Sequence, residues 1–159
     1  MSPSTRESFL ELKIPPLAIV LITATLMWLV ARKTPGFAFE LPARAVIALA
    51  FALAGITVSA TGSFSFRRVG TTLNPMKPES ASALVIAGIF KRTRNPMYLG
   101  FLLDLLAWAI FLSNWLTLVF LPFFIFYMNR FQIEPEERAL ASNFGNEFAA
   151  YKAKVRRWI

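Results

Sequence analysis

Residues 95–129 read NPMYLGFLLDLLAWAIFLSNWLTLVFLPFFIFYMN, thirty-five positions with a single charge, Asp104. A helix crossing a bilayer needs roughly 17–25 apolar residues, so this run is too long for one span and enough for two short ones. Ser113-Asn114 supplies the turn, which predicts helices over residues 97–112 and 115–128 folded back as a tight, slightly submerged hairpin. Pro96 suits a first-turn position, with Asn95 as the cap of that helix. Two more uncharged stretches precede the hairpin, residues 14–31 and 45–66. The first lacks a small-residue cleavage site and runs into Arg32-Lys33, unlike a secretory signal. The chain of 159 residues is 56% hydrophobic and 16% charged, with sixteen phenylalanines and a mean hydropathy of +0.53. A small water-soluble domain could not cover that much apolar surface. The expected fold is an all-α polytopic membrane protein of about four transmembrane helices. Residues 1–159 form a single domain, with two N-terminal spans within 14–66 and the hairpin, a polar loop and a tail within 67–159.

Basic residues orient the chain. With four spans, both termini and the loop between the second and third spans share one side, which holds 14 of the 17 Lys and Arg residues. The positive-inside rule makes that side the cytosol, giving an inner- or plasma-membrane protein with cytosolic N- and C-termini. The same bias, with attraction to anionic lipid, accounts for the net charge of +8 more simply than nucleic-acid binding does. The chain has no Cys and no His, which removes disulfides, thiolate or imidazole metal sites and a Ser-His-Asp triad. No acidic cluster suggests a carboxylate-held metal, and no Gly-rich phosphate cradle is present.

Chemistry is therefore expected in the two polar segments flanking the hairpin. The loop over residues 67–94 opens Pro-punctuated; residues 80–87 read as a short helical turn, and Gly88-Ile89-Phe90-Lys91-Arg92-Thr93-Arg94 leads into the third span. After Met128 the tail reads as helix. Pro135 sits in its first turn beside Glu134, Glu136 and Glu137, as the helix dipole prefers; Leu140 and Phe144 form a stripe and Gly145 a stop. Asn146 then caps a last helix with Phe148, Tyr151 and Val155 on one face. The hairpin brings loop and tail together at one membrane boundary.

These two segments resemble the isoprenylcysteine carboxyl methyltransferase family and its phospholipid methyltransferase relatives. The pattern runs through Gly88, Phe90, Arg94-Asn95-Pro96, Tyr98, Gly100, Glu136-Glu137, Leu140, Phe144-Gly145, Tyr151 and Val155. It covers residues 71–159 with its long-range spacing intact. The resemblance implies an integral membrane methyltransferase that uses S-adenosyl-L-methionine and methylates a lipophilic acceptor at the cytosolic boundary. It places Ser82, Ala83, Leu84, Val85, Phe90, Asn95, Pro96, Met97, Tyr98 and Glu136 around the cofactor, with Glu136 facing its ammonium and Asn95 its carboxylate. Arg94 and Glu137 take catalytic roles, with Glu137 also a candidate partner for Arg94 or Arg130. Gln132 and Arg130 are expected to meet the acceptor, and no metal or nucleic acid is involved.

The chain departs from the prenylcysteine enzymes at two positions. It has Asn95 where they carry His, and Gln132 where they carry a substrate-facing Arg, which argues for a neutral or amine-bearing acceptor. Bland readings stand beside the sharp ones. Arg94 also suits a positive-inside anchor, Tyr98 an interfacial aromatic, and Glu136-Glu137 a dipole-complementing first turn. Asp104 lies about 120° around its helix from Tyr98 and is assigned a protonated or hydrogen-bonded structural role. The alternatives are an NADPH-dependent membrane reductase, with Lys91 and Arg92 meeting the 2′-phosphate, and a non-catalytic membrane subunit that binds lipid or a partner.

Overall fold

The structure is a computed structural model that describes residues 11–71 and 74–159. The expected cytosolic placement of Met1 and Arg6, and the loop positions Thr72 and Leu73, fall outside those residues. Among the described residues, three helical segments are long and apolar enough to cross a membrane. They are α1 (Pro16–Lys33), α2 (Arg44–Val69) and a run from Trp115 to Lys154. That run comprises α4 (Trp115–Leu118), α5 (Phe120–Tyr127), a π-helical segment (Met128–Ile133) and α6 (Glu134–Lys154). Helix α3 (Pro96–Leu112) has 17 residues, about 26 Å at 1.5 Å per residue, and falls just short of the roughly 30 Å hydrocarbon core. The outward sides are greasy: Val46 on α2 is 68% exposed and Phe123 on α5 is 67% exposed, surfaces that only lipid or another apolar body would cover.

The expected hairpin is present, and its turn is fixed by polar bonds. Ser113 adopts the left-handed conformation (φ 48°). Asn114 accepts from the Leu116 N–H at 3.0 Å, capping α4, and donates to the Thr34 carbonyl at the end of α1 at 2.8 Å. Trp108 Nε1 donates to the Ala24 carbonyl at 3.0 Å, tying α3 to α1. Helices α2 and α3 approach most closely at Gly55 and Gly100. A Cβ on Gly55 would lie 2.7 Å from the Gly100 carbonyl oxygen, and one on Gly100 would lie 2.5 Å from that of Gly55. Small residues let backbones meet where hydrophobicity alone cannot drive helices together. Ser59 adds a hydrogen bond to the Met97 carbonyl at 3.1 Å. This crossing sets the position of the first turn of α3, where the site lies.

The second hairpin arm corrects the expectation of a short helix ending by Met128. It runs on into the tail through a wide π turn placed immediately before Pro135. Proline has no N–H for the carbonyl four residues back, here that of Phe131. The Leu12 N–H donates to that oxygen instead, at 3.0 Å. Glu134, Glu136, Glu137 and Arg138 then mark where the rod leaves the bilayer, so α6 lies outside the span. Gly145 bends this helix rather than stopping it, with φ 47° and ψ −119° inside a run that continues to Lys154. Residues 80–87 are also not the expected helical turn: only Pro78–Ser80 winds, as 3₁₀, and the chain then extends.

Asp104 sits away from the loop and tail, on a membrane-facing groove with Ala48, Ala52, Ala107 and Trp108. Its Oδ1 is buried without a hydrogen-bond partner, so the hydrogen-bonded role expected for it is not found at that oxygen.

Candidate active site

After the Pro78–Ser80 turn the chain presents Ala81, Ala83, Leu84 and Val85 to a cavity while Ser82 and Ile86 stay exposed. Thr71 Oγ1 pins this strip by accepting from the Ser82 and Ala83 N–H groups at 3.1 and 3.3 Å. The 3₁₀ turn Gly88–Lys91, which begins at left-handed Gly88, drives Phe90 beneath the strip, edge-on to Phe66 at 5.4 Å. The first turn of α3 and the inner face of α6 complete the walls. The cavity holds about 90 Å³, and a second lobe of about 80 Å³ shares Phe66, Ala81, Met97, Tyr98, Glu136 and Leu140 with it. Asn74, Pro75 and Pro78 wall the second lobe.

Glu136 stands where the lobes meet. The Tyr98 hydroxyl donates to its Oε1, and Gln132 Nε2 donates to the same oxygen at 2.6 Å and to the Pro75 carbonyl at 2.8 Å. Burial pushes the Glu136 carboxyl up to about 7, against the Tyr98 and Gln132 hydrogen bonds, which favour the anion. Glu137 has the opposite balance. Burial raises it, but hydrogen bonds and charge from Arg157 and Arg94 outweigh burial and hold it at about 2. Its oxygens meet Arg94 at 2.7 Å, Arg157 at 2.9 Å and Lys152 at 3.2 Å. Tyr151, pushed up to about 12 by burial, donates to the Phe90 carbonyl at 2.7 Å.

Arg94 is the most heavily anchored cation. Nη1 donates to the Val155 and Lys152 carbonyls at 2.6 and 3.1 Å, and Nη2 to Glu137. Its Nε is buried with no hydrogen-bond partner. Leaving such a donor unmade costs about 1–3 kcal/mol or more.

Most of the residues expected around the cofactor come together. Ala83, Leu84, Val85, Phe90, Asn95, Pro96, Met97, Tyr98 and Glu136 all line the first lobe, as do Arg94 and Glu137, the two expected in catalytic roles. Ser82 is exposed beside it. Gln132, 2% exposed, reaches the site through Glu136. Arg130 does not line either lobe; it pairs with Glu11 at 2.7 Å. Of the two partners considered for Glu137, Arg94 is the one present. Asn95 occupies the cap position of α3, but its side chain does not cap: Nδ2 donates to the Arg157 carbonyl at 2.9 Å. The contribution of Arg157 was not read from the sequence.

The family model for phospholipid methyltransferases matches residues 43–147, from the start of α2 through most of α6. The chain belongs to this family. The match takes in the Gly55–Gly100 crossing, the inward-facing strip and the Glu136-Glu137 pair, and stops short of the lining residues Phe148 and Tyr151. Sixty-three residues are 51% identical to an uncharacterised protein of Haemophilus influenzae, covering 40% of this chain and all of that protein. Ninety-five residues are 34% identical to the protein-S-isoprenylcysteine O-methyltransferase of Saccharomyces cerevisiae, covering 60% of this chain and 38% of the yeast protein. The resemblance read from the motifs therefore holds at the level of family. This phospholipid methyltransferase family member is an integral membrane protein by its helices.

Proposed function

We propose that this protein transfers a methyl group from S-adenosyl-L-methionine to a lipophilic acceptor at the cytosolic face of the membrane. One observation carries the reading: the Glu136 carboxyl and Arg94, whose buried Nε has no hydrogen-bond partner, line one largely apolar cavity. An amino-acid zwitterion needs that pair of opposite groups. Glu136 would hold the ammonium of the cofactor and Arg94 Nε its carboxylate. Val85, Phe90, Met97 and Phe148 offer apolar and aromatic surface to its adenosine and sulfonium. The cofactor supplies an electrophilic methyl on sulfur. The protein then has to orient the two reactants and exclude water, which a small, enclosed, largely apolar cavity does.

Gln132 and the second lobe bear on the acceptor. Among the described residues walling that lobe, Glu136 is the ionisable carboxyl and neither Lys nor Arg is present. A carboxylate acceptor would find no bidentate cation there, since neutral Gln132 stands at the position and Arg130 is turned to Glu11. The acceptor class is a neutral or amine-bearing lipid. Purified protein supplied with methyl-labelled S-adenosylmethionine is expected to label amine-headgroup lipids and leave a farnesylcysteine analogue nearly untouched. Gln132→Arg should raise labelling of the farnesylcysteine carboxylate. Efficient wild-type methylation of that carboxylate, unimproved by Gln132→Arg, would contradict the acceptor class.

A further inference from the structure

The last residues of the chain leave α6 and cross back over the entry to α3. Val155 ends the helix in extended backbone (φ −122°, ψ 131°). Three consecutive carbonyls then point at the loop. Val155 accepts from Arg94 Nη1 at 2.6 Å, Arg156 from the Arg94 backbone N–H at 3.0 Å, and Arg157 from Asn95 Nδ2 at 2.9 Å. Thr93 Oγ1 also donates to the Arg157 carbonyl, at 3.3 Å. The strap is fastened at two points. Arg157 places Nε and Nη2 on the two oxygens of Glu137 at 3.1 and 2.9 Å, and Trp158 Nε1 donates to Asn129 Oδ1 at 3.0 Å. Both groups it holds, Arg94 and Asn95, line the cavity, and Arg94 keeps its buried Nε free.

We infer that the 155–158 strap is a wall of the ligand site and that Arg157 is its positioning residue, setting Arg94 Nε and Asn95 for the carboxylate end of the ligand. Arg157 does not itself line the cavity; it acts by locking Glu137 and the tail carbonyls that grip Arg94. Three cations around one carboxylate would be more than stability demands, and losing a bidentate member leaves the others with looser geometry. Because the strap's polar bonds to cavity-lining residues go to Arg94, Asn95 and Glu137, loss of Arg157 should be felt at one end of the ligand. The adenosine end, against Val85, Phe90 and Phe148, meets the strap only through the Val155 side chain, which Arg157 substitutions leave in place.

The inference rests on the proposed cofactor reading, and the test separates the two. Titrate wild type, Arg157→Ala, Arg157→Lys, Arg94→Ala and the double variant Arg94→Ala/Arg157→Ala with S-adenosylhomocysteine and with 5′-methylthioadenosine, which lacks the amino-acid end. Arg157→Ala is expected to weaken S-adenosylhomocysteine about tenfold or more, to leave methylthioadenosine within about threefold, and to add little once Arg94 is gone, as coupled residues do. Arg157→Lys, charged but unable to fork, should fall between; it also serves if the alanine variant unfolds. Equal weakening of both ligands, or additivity with Arg94→Ala, would overturn the positioning role. Wild-type protein that binds neither ligand would overturn the cofactor reading and this inference with it.

Discussion

Gln132 and Glu136 are joined across the junction of the π turn and α6, Nε2 to Oε1 at 2.6 Å. The same amide reaches the Pro75 carbonyl at 2.8 Å, so one side chain fixes both the carboxyl at the meeting of the lobes and the loop that walls the second. Glu136 is thereby held at the meeting of the two lobes.

Glu136→Gln keeps the shape and removes the charge. S-adenosylhomocysteine binding should weaken by about 2–5 kcal/mol, the loss typical for one partner of a desolvated pair. Glu134→Gln, two residues earlier and 41% exposed in its side chain, should change affinity by less than about 1 kcal/mol. Equal affinity for wild type and Glu136→Gln would reduce Glu136 to a helix-start residue.

The pH profile follows from the same group. With its carboxyl at about 7, Glu136 must shed a proton before it can hold an ammonium. Affinity should therefore climb about tenfold per pH unit below 7 and level off above it. Glu137, held at about 2, stays ionised throughout and adds no slope. Glu136→Gln should flatten the profile. A flat wild-type profile between pH 5 and 8 would mean that Glu136 is not the ammonium partner.

Helix packing and site are coupled through α3. Gly100→Val places carbon against the Gly55 carbonyl and Ser59, where overpacking costs about 1–3 kcal/mol. The shifted first turn should also weaken ligand binding. Gly36→Ala, with nothing within 4 Å of the added carbon, should leave thermal unfolding in detergent unchanged. An unaltered melting temperature for Gly100→Val would refute the close crossing.

Much of the fold was legible because it is governed by apolar run length and turn chemistry. The Ser113-Asn114 turn, the hairpin and the meeting of loop and tail all came from such signals. What stayed hidden depends on tertiary partners. The Leu12 N–H donates to the freed Phe131 carbonyl, so Pro135 widens the helix without ending it. Gly145 bends rather than stops α6, since a glycine alone does not say whether the next turn will resume. The Gly55–Ser59 stripe passed unread within a uniformly apolar span. In the site, residue types in the family pattern gathered as expected, yet the pairing of Glu137 with Arg157 needed the tail to fold back, which no local periodicity encodes.

Orientation is open to a direct check. The site side carries Glu11, the 67–95 loop and α6 together, as the Arg130–Glu11 and Arg138–Glu11 pairs require. A cytosol-active reporter should work when fused at the C-terminus, and an exterior-active one when inserted at Gly36. An exterior-active reporter working at the C-terminus would put the cavity on the wrong side for a cytosolic cofactor.

The most direct measurement is isothermal titration of the detergent-solubilised protein with S-adenosylhomocysteine and, in parallel, with NADPH. Saturable binding of S-adenosylhomocysteine, lost in Glu136→Gln and absent for NADPH, is the expected result. Binding of NADPH with no response to S-adenosylhomocysteine would contradict the methyltransferase reading and favour a reductase.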